Sequence, residues 1–452
     1  MRAGRSFAVV LGIALLTAAS AAETPSPLRP IQFTDTRLAN GLRVIISEDH
    51  FAPVYAIAVS YSVGSKDERP GRTGFAHLFE HMMFKGSDNI GPGEHFFLVF
   101  NNGGSMNGTT NTDRTLYFEV MPRNQLDLGL FLESDRMRSL AITKENLDNQ
   151  RQAVQEERRL RLDNQPYGKS QERFNELAYD NPAYHHSVIG SMEDLNAATV
   201  EDVASFFRTY YAPNNAVVAI VGDVDAKATV AKVEKYFGDI GRQPNPAAVD
   251  LSEPEMKAER RETIQDRLAR LPQINIGYKI PSATHADYPA LAALGQILGA
   301  GESSRLYQRL IKTQELCANV GSGSAQRMGP GLFNITCAVR PGKNIAEAEA
   351  AITEEVARLH TSPVTADELQ RVRTTARRSA VSIRESALAR AQSLADNAVL
   401  FNDPNRINTN TDKLSAVTAD DVRRVAAKYL QTTNRVVVHT TPAAAPAAPV
   451  AR

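Results

Sequence analysis

The chain has 452 residues, of which 42% are hydrophobic and 23% are charged, as expected for a soluble protein of two or three domains. Its 51 basic residues balance 51 acidic ones, so the formal net charge is zero. This balance argues against nucleic acid or an anionic membrane surface as a binding partner.

The first 22 residues have the pattern of a secretory signal peptide. Arg2 and Arg5 precede the apolar run FAVVLGIALL, and the small residues AASAA follow it. The apolar run is too short for a stable membrane span, although an uncleaved anchor helix is the alternative. We therefore expect export to the periplasm, a mature chain that begins near residue 23, and no later membrane span.

The segment 23–240 is predicted to be an α+β domain. RLANGLRVIISED is typical of a hairpin with Asn-Gly in its turn, and YAIAVSYSVG is typical of a further strand. GFAHLFEHMMFKGS is predicted to be a helix, and GGSMNGTTNTDRTLYFEVMP to be strand. Helices are predicted over 125–139 and 143–162, the second with Thr143 as its N-cap. AVVAIVGDV then predicts a buried strand and ATVAKVEKYFGDI an amphipathic helix.

The segment 241–256, GRQPNPAAVDLSEPEM, is predicted to be a linker because it is rich in proline and polar residues. From 257 to 440 a similar order returns, with QINIGYKIP as a strand, DYPALAALGQILGAG as a helix, and two more strands near 315–323 and 332–340. This order suggests an internal duplication of an α+β unit. The segment 441–452 is of low complexity and is predicted to be disordered.

Cys317 and Cys337 are the two cysteines of the chain. In an exported protein they could form a disulfide, since both lie in strand-like segments that flank a glycine-rich turn. The alternative is a pair of small buried hydrophobic residues.

The predicted helix GFAHLFEHMMFKGS carries a His-x-x-Glu-His pattern, which occurs among metalloprotease motifs. Positions i and i+4 share one helix face, so His77 and His81 can present two imidazole nitrogens to one zinc ion. Glu80 can reach a zinc-bound water and take its proton without binding the metal. The alternative is a helix with two satisfied histidines and a solvated glutamate.

A third zinc ligand is expected from another helix. The segment QRQAVQEERRLRL offers Glu156 and Glu157. By itself, such a charged run is typical of a solvated helix face.

Taken together, five segments resemble the M16 metallopeptidases (pitrilysin-like inverzincins), in the short class that includes mitochondrial processing peptidase and bacterial homologues. The matching segments are GFAHLFEHMMFKGS, NNGGSMNGTTNTDRTLYFEV, VQEER, IGSMEDLNAATVEDVASFFRTYYAPNNAVVAIVGDVD and SSRLYQRL. The resemblance implies two homologous α+β halves, each a mostly antiparallel sheet packed with helices, which form a chamber. It also implies a zinc-dependent peptidase that acts on flexible peptides.

The resemblance further implies roles for single residues. Glu157 is the third zinc ligand beside His77 and His81, and Glu80 is the general base. At Gln150 the family usually has a glutamate that orients a ligand, so this substitution puts the rate in doubt more than zinc binding.

The family's substrate-binding strand typically ends in Asn-Ala, where this chain has Asn107 and Gly108. A peptide added as a strand would place its scissile bond beside Asn107, and Gly108 would leave more room next to the cleaved residue. The alternative for Asn107 is an ordinary hairpin residue.

The second half lacks the metal-binding side chains, because Ala292, Gly295 and Gln296 fall where His77, Glu80 and His81 stand in the first half. We therefore expect one active half and one structural half. The rival hypothesis is a non-catalytic assembly or peptide-binding subunit of the same fold.

The second half also lacks an Arg and a Tyr that the family usually uses to hold the substrate. Phe333 falls where the Arg is expected, and Arg305 and Tyr307 are poorly placed substitutes. In relatives that divide these residues between two chains, the chain with the zinc motif works with a homologous chain that lacks the motif and supplies the Arg and the Tyr. The resemblance therefore implies a heterodimer with such an M16 subunit, with a self-sufficient homodimer as the alternative.

Overall fold

The computed structural model describes residues 28–443, of which residues 31–443 belong to one compact unit. The predicted signal peptide and residues 444–452 of the predicted tail lie outside the described residues. Within the described range, no helix combines the length and the apolar character that a bilayer crossing requires.

The described strands form two sheets. The first sheet has the strand order β1-β2-β6-β3-β5-β4, and the second has the order β7-β11-β8-β10-β9. The strands are β1 (Thr34–Arg37), β2 (Arg43–Glu48), β3 (Val54–Tyr61), β4 (Ser105–Thr110), β5 (Thr115–Pro122), β6 (Ala216–Gly222), β7 (Arg260–Asp266), β8 (Gln273–Ile280), β9 (Cys317–Ser324), β10 (Gly331–Val339) and β11 (Arg435–Pro442).

The two sheets repeat one pairing pattern. In each sheet one pair is parallel, β2 with β6 and β7 with β11, and the other pairs are antiparallel. Strand β1 is the one addition to the first sheet. The predicted fold class, two α+β halves with mostly antiparallel sheets, is therefore confirmed.

Helices follow the strands in a similar order in both halves. The first half contains α1 (Phe75–Met82), α2 (Glu94–Asn101), α3 (Leu126–Arg138), α4 (Lys144–Arg158), α5 (Gly168–Ala178), α6 (Pro182–His185), α7 (Met192–Ala197), α8 (Val200–Tyr210) and α9 (Ala226–Phe237). The second half contains α10 (Tyr288–Gly299), α11 (Ile345–Thr361), α12 (Ala366–Glu385), α13 (Ala387–Phe401), α14 (Arg406–Ser415) and α15 (Ala419–Tyr429).

Two local signals of the sequence are visible as expected. Gly41 has a φ of +95° in the turn between β1 and β2, a conformation that glycine adopts without strain. Thr143 caps α4, because its side chain accepts a hydrogen bond of 3.1 Å from the backbone N–H of Asn146.

Each half covers a sheet face of the other half. Helix α13 of the second half packs on β3 and β6, where Leu394 and Ala395 join a buried cluster with Ala56 and Ala58. Helix α5 of the first half packs on β11 and β8, and a Cβ placed on Gly277 would lie 2.6 Å from the Phe174 ring. This exchange of helices buries apolar faces that neither half covers alone.

Cys317 and Cys337 form a disulfide between the neighbouring strands β9 and β10, with their Cα atoms 6.1 Å apart. Of the two alternatives for these residues, the unpaired one is therefore wrong. Both cysteines are also buried in the core of the second half.

The domain boundaries stay predictions. The segment 241–256 contains neither helix nor strand, as expected for a linker. Strand β11 continues to Pro442, two residues into the predicted tail, because Thr441 and Pro442 extend the parallel pairing with Gln265 and Asp266 of β7. The first two residues of the predicted tail are therefore part of this strand. The predicted chamber also stays a prediction.

Candidate metal centre

Helix α1 buries one face and presents the metal-binding motif on the other. It begins after Gly74, whose φ is +85° and where a Cβ would lie only 2.5 Å from the Ile189 carbonyl oxygen. The buried apolar positions follow the i, i+3, i+4, i+7 spacing of a core-facing stripe: Phe75, Leu78, Phe79 and Met82. This stripe orients the helix so that His77 and His81 lie away from the core.

Helix α4 packs against α1 and brings Glu157 to the two histidines. The Oε2 atom of Glu157 lies 3.6 Å from His77 Nε2 and 3.2 Å from His81 Nε2. Three ligands at zinc-bonding distance in tetrahedral geometry are separated by about 3.3 Å. These two distances, and the position of all three donor atoms within 4.8 Å of one another, are compatible with a zinc ion.

The protonation of the histidines suits metal binding. Burial lowers the pKa of His77 to about 4, and the neighbouring His81 adds to the effect. Burial also lowers the pKa of His81, although Glu157 and a side-chain hydrogen bond with Gln150 act in the opposite direction. Both imidazoles are therefore neutral near pH 7, which is the form that binds metal.

Gln150 and Arg161 lie next to the candidate ligands. Gln150, which stands where the family usually has an orienting glutamate, is buried on α4. Arg161 binds the other oxygen of Glu157, Oε1, at 2.7 Å, and thereby leaves Oε2 to the histidines. The role of Arg161 was not foreseen, because an arginine in a charged run carries no distinguishing signal.

Glu80 lies on α1 beside these ligands and is only 9% exposed. Burial raises the pKa of Glu80 to about 7. Its Oε2 accepts a hydrogen bond of 2.6 Å from the Thr110 hydroxyl, which stabilises the charged form. Sequence analysis missed Thr110, which is one of several threonines in β4 and its turn.

Strand β4 forms an edge of the first sheet, since it pairs only with β5 among the described strands. The backbone N–H of Asn111 donates to the Arg114 carbonyl, so the backbone of Asn111 faces the partner strand β5. Alternate residues of an antiparallel strand face the partner strand and the opposite side in turn. The backbone groups of Gly108 and Thr110 therefore face away from β5, on the side of β4 that has no neighbouring strand in the described part of the chain. This edge has the form that an added peptide strand requires.

The two predicted substrate-binding residues lie on this edge. Asn107 accepts a hydrogen bond of 2.9 Å from the Gly108 N–H through its side-chain oxygen. A Cβ placed on Gly108 would lie 3.0 Å from Glu80 Cγ and Oε1, so the glycine lies directly against the candidate base.

A second group with metal-binding side chains comprises His95, Glu119 and Glu133, all fully buried. Arg136 already supplies a positive charge there, because its Nε donates to Glu133 Oε2 at 3.1 Å. His95 Nε2 lies 2.7 Å from Glu119 Oε1. Glu133 is paired with Arg136, and His95 contacts Glu119, so we interpret the group as a buried polar network in which Glu119 Oε2 and Arg136 Nη1 have no hydrogen-bond partner among the described residues.

The second half repeats the architecture of the centre without its chemistry. In the second half, helix α10 packs on strand β9, and a Cβ placed on Gly295 of α10 would lie 3.0 Å from Gly323 of β9. In the first half, helix α1 packs on strand β4 in the same way, with Glu80 of α1 against Gly108 of β4. Phe333 is fully buried in β10. Arg305 binds Glu368 through two hydrogen bonds of 2.7 and 2.9 Å, so it does not stand free to hold a substrate.

Two family models match the chain. The model described as Insulinase (Peptidase family M16) matches residues 43–190, and the model described as Peptidase M16 inactive domain matches residues 197–376. The zinc protease PqqE of Helicobacter pylori is 31% identical over 408 residues, covering 90% of this chain and 92% of the relative. The mitochondrial-processing peptidase subunit beta of Lentinula edodes is 24% identical over 417 residues, with 88% of each chain covered.

Solved structures show the same relationship. A protease from Helicobacter pylori superposes with a TM-score of 0.87 at 30% identity, covering 91% of this chain and 100% of that chain. The periplasmic protease PqqL of Escherichia coli superposes with a TM-score of 0.76 at 19% identity, covering 92% of this chain and 48% of that chain, which shows the fold alone. On this sequence identity and coverage, together with the two domain matches, the chain belongs to peptidase family M16.

Proposed function

We propose that the protein is a zinc-dependent peptidase that hydrolyses peptide bonds in flexible peptides. One observation carries the proposal. His77, His81 and Glu157 converge from two helices at distances that fit zinc, with the carboxylate of Glu80 beside them and an open strand edge next to Glu80.

His77, His81 and Glu157 would hold the ion through two imidazole nitrogens and one carboxylate oxygen. When bound, zinc supplies Lewis-acid chemistry, which polarises a carbonyl and acidifies water. Glu80 takes the proton of the attacking water and then delivers it to the leaving amine.

The substrate is an extended peptide that pairs with the open edge of β4. Main-chain hydrogen bonds to the Gly108 carbonyl and to the backbone of Thr110 hold the peptide beside Glu80. A folded protein cannot offer a free strand to this edge, so the preference is for flexible peptides. The signal-like sequence at the N-terminus supports export, and we expect this activity in the periplasm.

The catalytic unit includes a second chain of the same family. The position at which the family usually has a substrate-binding arginine is occupied by Phe333, which is buried. Arg305 binds Glu368 within the second half and does not replace that arginine. We therefore place the zinc chain in a heterodimer with a homologous M16 subunit, and a homodimer is the alternative. Purified alone, the chain is expected to bind zinc and to hydrolyse peptides slowly, and the homologous subunit should raise the rate.

The decisive experiment combines metal analysis with a peptide assay. His77→Ala and Glu157→Gln should lose zinc, whereas Glu80→Gln should keep zinc and lose turnover by about two to four orders of magnitude. The assay uses fluorogenic peptides with and without a chelator, and with and without the homologous subunit.

Full zinc content in His77→Ala would contradict the ligand assignment. Tight peptide binding by the zinc-loaded chain without any turnover, alone or with the partner, would instead favour a non-catalytic peptide-binding subunit.

A further inference from the structure

The turn that follows β4 joins the candidate substrate edge to the second half of the chain. This turn comprises residues 111–114, and it comes directly after Thr110, the residue that donates to Glu80. Because Gly108 and Thr110 both contact Glu80, a small shift of β4 changes the position of the edge relative to the base. The contacts of the turn therefore bear on the chemistry.

Arg114 connects β4 to a helix of the second half. Its Nη1 donates to the carbonyl oxygen of Thr109 at 2.9 Å and to the Thr109 hydroxyl at 2.8 Å. Its Nε and Nη2 donate to the two carboxylate oxygens of Asp396 at 2.9 and 3.3 Å. The guanidinium fork thus holds strand β4 on one side and α13 on the other, and its side chain is only 12% exposed.

Asp113, the neighbouring turn residue, makes a second connection. It is buried, and its Oδ2 accepts a hydrogen bond of 3.1 Å from the backbone N–H of Met328, in the loop between β9 and β10. Its Oδ1 accepts a hydrogen bond of 2.8 Å from the Tyr184 hydroxyl, which itself accepts one from the Gly329 N–H at 2.9 Å. The corresponding hairpin loops of the two halves therefore touch each other at this carboxylate.

The same turn also holds the segment that leads into the metal-binding helix. The ammonium group of Lys66 donates to the carbonyl oxygen of Asp113 at 3.1 Å, and the Lys66 backbone N–H donates to the Thr112 carbonyl at 2.9 Å. Lys66 lies nine residues before α1 and is 6% exposed. One turn thus contacts the substrate edge, the approach to the metal helix, and two elements of the second half.

We infer that Asp113 and Arg114 are positioning residues through which the second half holds β4 in register with Glu80. Neither residue contacts the metal ligands, and both act through Thr109, Thr110 and the preceding segment. The inference rests on the proposed function for its effect on rate, whereas its effect on the order of β4 does not depend on activity.

The test is a double-mutant cycle across the contact between the two halves, with Arg114→Ala, Asp396→Ala and the double variant in the full chain. Each single variant should lower kcat for fluorogenic peptides about tenfold to a hundredfold with a smaller change in KM, because misplacement of a reacting group lowers turnover. The double variant should lose much less than the product of the two single losses, since either single variant already breaks the Arg114–Asp396 contact, although Asp396 also accepts a hydrogen bond of 3.3 Å from the Ser60 hydroxyl. Arg114→Lys should recover only part of the rate, because an ammonium group cannot bind Asp396 and Thr109 as the planar fork does.

Arg123→Ala is the matched control. Arg123 lies just after the other end of β5 and forms an ion pair of 2.8 Å with Asp223 inside the first half. This variant should change neither kcat nor KM. Zinc content should be unchanged in all variants, which separates positioning from metal binding.

Amide hydrogen exchange over residues 105–117 measures how well β4 and the following turn are ordered, and this measurement does not depend on activity. Exchange should be faster in Arg114→Ala and Asp396→Ala than in the wild type and in Arg123→Ala. Unchanged exchange in this segment, or losses of kcat that multiply in the double variant, would overturn the inference. If the wild type hydrolyses no peptide, either alone or with a partner subunit, the proposed function fails. The exchange data then still show whether the contact between Arg114 and Asp396 orders β4.

Discussion

The hydroxyl group of Thr110 donates a hydrogen bond of 2.6 Å to the carboxylate of Glu80. The bond fixes the orientation of the candidate base from a strand that the metal-binding helix packs against. It joins the substrate edge and the base in one contact.

Thr110→Val should lower kcat about tenfold, because hydrogen bonds to charged groups contribute about 1.5–3 kcal/mol and Val has no donor. Zinc content should not change, since Thr110 does not contact a candidate ligand. Thr110→Ser keeps the hydroxyl group and is the control that should retain most of the rate. Equal rates for the Val and Ser variants would show that the bond has no catalytic role.

Gly108 sets the space beside the base. Because an added Cβ would lie 3.0 Å from Glu80 Cγ and Oε1, Gly108→Ala requires only a slight shift and should cost little activity. Gly108→Val should lower kcat/KM by one to two orders of magnitude, since overpacking costs about 1–3 kcal/mol. Steady-state kinetics of the two variants, with zinc analysis as the control, measures the difference. If the Val variant is as active as the Ala variant, Glu80 does not lie against residue 108 during catalysis.

Glu68 caps the beginning of α1. Its carboxylate oxygens accept hydrogen bonds of 2.9 Å from the Gly74 N–H and 2.7 Å from the Ala76 N–H. Glu68→Ala should lower the free energy of unfolding by about 1–3 kcal/mol, because two buried donors lose their partner. It should also weaken zinc binding, since the capped turn leads into His77.

The matched control for Glu68 is Glu48→Ala. Glu48 accepts a hydrogen bond of 2.7 Å from the Ala226 N–H at the beginning of α9, away from the metal ligands. This variant should lower stability and leave zinc affinity unchanged. Zinc titration and thermal unfolding of both variants separate a local effect on the metal helix from a general loss of stability.

Asp287 predicts a defined dependence of stability on pH. Burial alone would raise its pKa, but bonds from Tyr429, Arg424 and Lys428 hold the pKa of Asp287 at about 2. An unfolded Asp titrates near about 3.9, so its contribution is fully present above that pH and is lost as the pH falls through about 2.

Thermal unfolding of the wild type and of Asp287→Asn measures this contribution. The wild type should have the higher Tm at pH 7, and the difference should shrink as the pH is lowered from about 4 to about 2. A difference that is constant over this range would show that the carboxylate charge of Asp287 does not stabilise the fold.

The order of elements and the motif helix could be predicted from the sequence because both depend on local periodicity. His77 and His81 share a helix face by the geometry of one helical turn, whatever surrounds them. The turn at Gly41 and the cap at Thr143 are likewise local. The exact end of β11 could not be predicted, since its last residues are ordered by pairing with a distant strand.

Tertiary structure alone decided which distant side chains complete the candidate centre. Thr110 reaches Glu80 from 30 residues away, and Arg114 reaches Asp396 from 282 residues away. No periodicity connects such positions, because they meet only when apolar faces of sheets and helices are buried against each other, within one half for Thr110 and Glu80 and between the halves for Arg114 and Asp396. The sequence by itself therefore determined which residues are candidate metal ligands, whereas tertiary packing decided which side chains lie against the candidate base and the strand edge.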